Sequence, residues 1–188
     1  MQVRTEANTF RLAETFTIAR GSRDAAEVLT VHIDHAGVSG RGECVPYARY
    51  GETIDSVADQ VSSLASVLSG FDGHAGDTFD LRDHLAPGAA RNALDCAIWD
   101  WRAKSHGRRV WELMLALSPP SPVQTAFTLS LDTPERMRAA AARHAHRPLL
   151  KIKLGGADDM ARLEAVRQGA PKTAIVIDAN EGWTAEVY

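Results

Sequence analysis

From Val123 onward the chain alternates strand-like with helix-like segments, and no other feature limits its fold as much. The segments run Val123 to Ser130, Pro134 to His146, Leu149 to Leu154, Asp158 to Gln168 and Thr173 to Asp178, with a further start at Thr184. Strands that alternate with helices pair in parallel through right-handed crossovers. Leu149-Leu150-Lys151-Ile152-Lys153-Leu154 and Ala174-Ile175-Val176-Ile177-Asp178 are short and nearly all apolar upstream of their charged ends, as strands covered on both faces are. An eight-stranded βα barrel takes roughly 250 residues, so the stretch after Val123 holds about three of its strands. The expectation is a (β/α) TIM-type barrel that is begun here and truncated after about three strands. An open doubly wound sheet fits the same grammar, and it too would want more strands.

Before Val123 the pattern differs. Phe16 to Ala19 and Glu27 to Asp34 are strand-like, Gly37 and Gly40 supply turn chemistry, and another short strand reaches Glu43, which together predict a small antiparallel sheet. Between Glu52 and Leu68 the apolar residues Ile54, Val57, Ala58, Val61, Leu64, Ala65 and Leu68 fall three and four apart on one helical face that Gly70 ends. A second helix runs from about Ala89 to His106, with Gly107 as its stop, and a third from Val110 to Leu117. Ser118-Pro119-Pro120 marks a boundary, giving an α+β domain over 1–118 and the opening of the barrel over 119–188, an α/β chain as a whole.

Composition narrows the function classes. With 21 basic against 24 acidic residues, a net charge of −3 and no long run of either sign, there is no electrostatic footprint for nucleic acid or an anionic membrane. A small-molecule partner is expected instead. No apolar stretch is long enough to span a bilayer and the N-terminus lacks a signal-like apolar region, so a cytoplasmic location is expected. Cys44 and Cys96, without C-x-x-C spacing, read as two reduced thiols.

Chemistry concentrates at two strand ends. Side chains alternate along a strand, so Lys151 and Lys153 share a face, roughly 6.6 Å apart, while Ile152 points to the other. Two ammonium groups in one site repel, and burial pushes the same way, which favours a lysine able to act as a general base. The alternative is an exposed edge strand on which lysines block aggregation. Asp178 closes the next strand, the position from which barrels present catalytic groups, and a carboxylate there suits a hard cation such as Mg²⁺. Capping the following helix is its other reading. The 25 residues from Lys153 to Asp178 are close to one βαβ unit, so both groups fall on adjacent strands at one mouth. A lysine beside a metal that binds a carboxylate suits abstraction of the α-proton.

Lys151-Ile152-Lys153 and Asp178-Ala179-Asn180 resemble the motifs of the enolase superfamily's muconate lactonizing branch. Within that branch Gly42-Glu43-Cys44-Val45-Pro46-Tyr47-Ala48-Arg49-Tyr50-Gly51-Glu52 and Pro87-Gly88-Ala89-Ala90-Arg91-Asn92-Ala93-Leu94-Asp95-Cys96-Ala97 are similar to segments of dipeptide epimerases of the L-Ala-D/L-Glu type. The resemblance implies an N-terminal capping domain, one Mg²⁺, a dipeptide or other carboxylate substrate, and an isomerase. It implies that Lys153 is an acid/base, Lys151 its enolate-stabilising partner, Asp178 a metal ligand and Asn180 a support of the metal shell. By position Arg20 is the candidate for a substrate carboxylate, with Arg23 competing and a solvated loop arginine as the other reading, and Thr128 is the first barrel strand's contact. The remaining ligands and the opposing lysine would lie after Tyr188, so the 188-residue chain alone is expected to be inactive. A homo-oligomeric state is left open.

o-Succinylbenzoate synthase, muconate cycloisomerase and N-acylamino acid racemase activities share these residues, and a Schiff-base lysine or an inactive homologue used for binding are the other readings. His32 and His35 fall on opposite strand faces, and His144 and His146 close a helix as surface residues. Leu154-Gly155-Gly156-Ala157 is a weak phosphate signal. Trp99, Trp101 and Trp111 read as packing residues.

Overall fold

The computed structural model describes residues 1–71, 80–114 and 118–185. They form two compact units, one of residues 1–10 and 26–120, the other of residues 11–25 and 121–188. The antiparallel strands β1 (Gln2–Ile18) and β2 (Gly21–His35) run through both. They form a hairpin whose connection is Ala19-Arg20, so residues 11–25, expected with the first domain, pack within the second unit.

In the first unit β3 (Val38–Cys44) pairs antiparallel with β2, from Leu29 opposite Cys44 to His35 opposite Val38. Leu29, Val31 and Ile33 alternate inward and are fully buried. α1 (Ile54–Ser63), the short α2 (Ala65–Ser69) and α3 (Ala89–Ser105) share a core with this sheet, and α4 (Val110–Leu113) packs on α3. The single helix expected over 52–68 is two, because the backbone at Leu64 departs to φ −90°, ψ 0°. Thr53 and Ser56 form a capping box at the start of α1. Val57, Val61, Leu68, Leu94 and Trp101 meet the sheet in one core. Residues 115–117, the end of the third expected helix, lie outside the described residues.

Gly40 is not a turn residue. It lies in β3, where a Cβ would come within 2.5 Å of Trp101 Cβ, and one on Gly42 would stand 2.0 Å from the Ala93 carbonyl oxygen. The two glycines let α3 lie directly on the strand; Gly37, at φ +75°, makes the turn. Cys44 is buried and Cys96 exposed, both as free thiols.

In the second unit β4 (Phe127–Leu129), β5 (Leu149–Lys153) and β6 (Ala174–Asp178) form a parallel sheet in that order. The helices α5 (Pro134–Arg143) and α6 (Asp159–Gly169) make the crossovers. Leu129, Met137, Ala141, Leu150, Ile152, Leu154 and Val166 are its core. These are the opening units of a (β/α) barrel. β4 is shorter than the expected Val123–Ser130 strand, and the expected element from Thr184 falls partly on residues 186–188, outside the described ones.

Candidate active site

Parallel register brings the charged strand ends together. Lys151 lies opposite Thr128 on one side and Val176 on the other, and Lys153 lies opposite Asp178. Residues in one row of a sheet share a face. Lys151, Lys153, Thr128 and Asp178 therefore point the same way. β5 is the central strand, so its lysines are not the guards of an exposed edge.

Asp178 holds both ammonium groups on one oxygen: its Oδ2 lies 2.7 Å from Lys151 Nζ and 2.9 Å from Lys153 Nζ. The Lys153 side chain is 9% exposed and that of Lys151 36%, so the pair consists of an enclosed lysine and one that reaches solvent. Hydrogen bonds from Lys151 and then Lys153 hold the Asp178 carboxyl well below the usual carboxylate range, outweighing the opposing effect of burial. Its Oδ1 accepts the Asn180 amide at 2.9 Å, closing a turn on the carboxylate. This turn, and not a helix cap, is what the Asp178 side chain makes. Asn180 and Glu181 follow at φ +50° and +64°, a left-handed pair without glycine. Asn180 Oδ1 is buried without a hydrogen-bond partner among the described residues. An ionised carboxylate and an unsatisfied amide oxygen on one turn suit a hard divalent cation. Among the described residues no three His, Cys, Asp or Glu side chains converge as a ligand set, so the oxygen donors here are few.

Arg20 stands at the hairpin tip, where Nη1 donates to the Asn180 carbonyl at 2.9 Å and lies 3.8 Å from Glu181 Oε2. The same tip reaches the end of β4: Thr17 N donates to Ser130 Oγ at 2.8 Å, and Leu131 N to the Thr17 carbonyl at 3.0 Å. Arg20 is therefore beside the loop of Asp178 and Asn180. Arg23 instead stacks on Phe16, 5.8 Å from the ring centre. Thr128 is half-buried next to Lys151 in register.

Two minor expectations resolve differently. The Gly155 and Gly156 amides do face an anion, but it is the protein's own: both donate to Asp159 Oδ2, at 2.8 and 3.0 Å. The phosphate reading falls there. His144 is no simple surface residue, since its ring lies 4.0 Å from that of Phe127. Burial, followed by Arg147 and Arg143, lowers its pKa. Trp101 is fully buried, as expected of a packing residue. Asp159 itself went unnoticed in the sequence, where an Asp in the first turn of a helix is ordinary; the signal was the glycine pair just ahead of it.

An antiparallel unit with helices, followed by the opening strand-helix units of a (β/α) barrel, defines the fold class of the chain. Residues 1–114 match the mandelate racemase / muconate lactonizing enzyme N-terminal domain, and the chain belongs to that family within the enolase superfamily. It is 40% identical to the L-Ala-D/L-Glu epimerase of Escherichia coli (strain K12) over 174 residues, 91% of this chain and 52% of the relative. A structure of an enolase family member from Agrobacterium tumefaciens with homology to dipeptide epimerases, with bound sodium and L-Ala-L-Glu, matches at TM-score 0.89 and 46% identity. The match covers 98% of this chain and 55% of that one. The dipeptide epimerase of Cytophaga hutchinsonii, complexed with Mg and D-Ala-L-Val, matches at TM-score 0.84 and 27% identity over 99% of this chain and 53% of that one. The chain spans about half the length of the curated relatives it matches.

Proposed function

We propose that this chain forms part of a Mg²⁺-dependent dipeptide epimerase that moves the α-proton next to a carboxylate. The observation that carries the reading is the Lys151–Asp178–Lys153 cluster on adjacent parallel strands. The similarity to dipeptide epimerases, one of them solved with Mg, supports it.

Lys153 is the acid/base in this reading: its amine is enclosed at the end of β5, on the face that carries Asp178. Lys151, more exposed and on the same face, offsets negative charge developing on the substrate carboxylate. Asp178 would hold the divalent cation, with Asn180 supporting the metal shell; when bound, the cation supplies Lewis-acid stabilisation of that charge. Arg20, already turned toward the Asn180 loop, is positioned to exchange a backbone carbonyl for a substrate carboxylate. Thr128 would contribute the contact from β4.

The test uses a full-length polypeptide carrying this sequence. With Mg²⁺, L-Ala-L-Glu in D₂O is expected to gain deuterium at an α-carbon, and EDTA or Lys153→Ala is expected to stop the exchange. No exchange by the Mg²⁺-loaded full-length protein on any dipeptide tried would sink the reading. With so few oxygen donors converging, the 188-residue chain alone is expected to bind Mg²⁺ weakly and to leave the dipeptide unchanged.

A further inference from the structure

All three loops that follow the parallel strands end on one ion pair in the first turn of α6. Asp159 Oδ2 accepts the amides of Gly155 and Gly156, in the loop after β5. The same oxygen accepts Trp183 Nε1 at 2.7 Å, from the loop after β6. Asp159 Oδ1 lies 3.2 Å from Arg162 Nη1, and Arg162 Nε donates to the Asp132 carbonyl, in the loop after β4, at 2.9 Å. The two side chains are 10% and 17% exposed. A carboxylate so enclosed needs its donors. Burial by itself would raise the Asp159 pKa, yet the hydrogen bonds from Trp183, Gly156, Gly155 and Arg162 together lower it.

We infer that Asp159 and Arg162 form a positioning clamp that fastens the loops after β4, β5 and β6 to one another and so steadies the Lys153 and Asp178 side chains, which the strand register sets opposite one another. Each loop begins at a strand end that carries site chemistry, and each is held by a different arm. The glycine amides fix the exit from Lys153, Trp183 fixes the turn of Asp178 and Asn180, and Asp132 fixes the exit from β4. Gly155 helps by its lack of a side chain: a Cβ there would meet Ala19 Cβ at 2.5 Å and the Ala179 carbonyl at 3.2 Å. The consequence for catalysis rests on the roles proposed above for Lys153 and Asp178, whereas the clamp rests on contacts alone.

The three arms can be cut separately in a full-length polypeptide carrying this sequence and read by amide hydrogen exchange and by the ammonium ¹⁵Nζ signals of the lysines. Reporter amides are Leu131, bonded to the Thr17 carbonyl, Leu154, bonded to the Asp178 carbonyl, and Asn180 and Gly182 in the last loop. Trp183→Phe is expected to speed exchange about tenfold or more at Asn180 and Gly182, as loss of a charge-assisted bond would, and to broaden the Lys153 ammonium signal. Arg162→Lys is expected to act at Leu131, and Asp159→Asn at Leu154, Asn180 and Gly182. Ala170, at the far end of α6, should keep its rate in all three. Acceleration that includes Ala170 equally would mean a merely structural ion pair and overturn the clamp. So would effects confined to Gly155 and Gly156, or an unchanged Lys153 signal in Trp183→Phe. If Asp159→Asn does not fold, the other two variants still decide, since both retain the glycine contacts. The readout contains no turnover, so the proposed reaction can fail without altering it.

Discussion

Lys153 is a charge 7% exposed, tolerable because Asp178 answers it at 2.9 Å. Removing the answer should cost more than removing a surface ion pair. Asp178→Asn keeps the shape and leaves two ammonium groups facing one another. Since Asp178 is 29% exposed, solvent discounts the loss, and a destabilisation of about 1–3 kcal/mol is expected in urea unfolding. The pH dependence has a definite sign. The folded pKa of Asp178 is depressed below its ordinary 3.8, so its contribution is fully present above that value and is lost as the pH falls through the lower folded value. The wild-type chain should therefore lose stability on acidification below about pH 4 more steeply than Asp178→Asn does. Parallel curves would show that the carboxylate is not ionised by its lysine partners.

At the scale of elements, contact between α3 and β3 is made by what is missing from Gly40 and Gly42. A methyl at Gly42 would stand 2.0 Å from the Ala93 carbonyl oxygen and 2.7 Å from the Ala97 nitrogen, both backbone atoms that cannot swing aside. Gly42→Ala is expected to cost about 3 kcal/mol by denaturant titration, the upper end for overpacking. A change under about 1 kcal/mol would mean that the helix lifts freely. Nothing in Gly42-Glu43-Cys44 announces this role, since glycine in a strand is equally a bulge or a turn signal. The strand β5 and the helix α3 were legible because burial writes a pattern into the sequence, whereas β6, expected to be covered on both faces, was legible as a β-branched run but has no buried residue. Most of β1 was not. Gln2 to Thr15 is largely polar and exposed, and its strand conformation comes from pairing with β2. In the site, Lys151, Lys153 and Asp178 were legible from spacing because register follows from strand order, and their meeting on one carboxylate oxygen is the result. The Asp159 carboxylate was not legible, because its partners come from three loops whose proximity only the folded sheet creates.

Among the described residues the two sheets are covered differently. The antiparallel sheet is backed by helices over a continuous core, while the parallel sheet ends at β6, whose outer edge has no strand partner among the described residues. Val176 is 44% and Ile177 38% exposed there, on opposite faces of a strand rich in β-branched residues. An apolar strand with a free edge and no guarding lysine or proline is a template for pairing with another chain. The lysines of this sheet are spent on the central strand, where the site holds them. The 188-residue chain is therefore expected to self-associate at roughly 10–100 μM, seen as a concentration-dependent sedimentation coefficient. Ile177→Lys, on the face opposite Lys151, Lys153 and Asp178, should return it toward monomer while leaving the Lys153–Asp178 contact intact. A chain that sediments as a monomer across that range would show that β6 is protected by something other than a neighbouring strand.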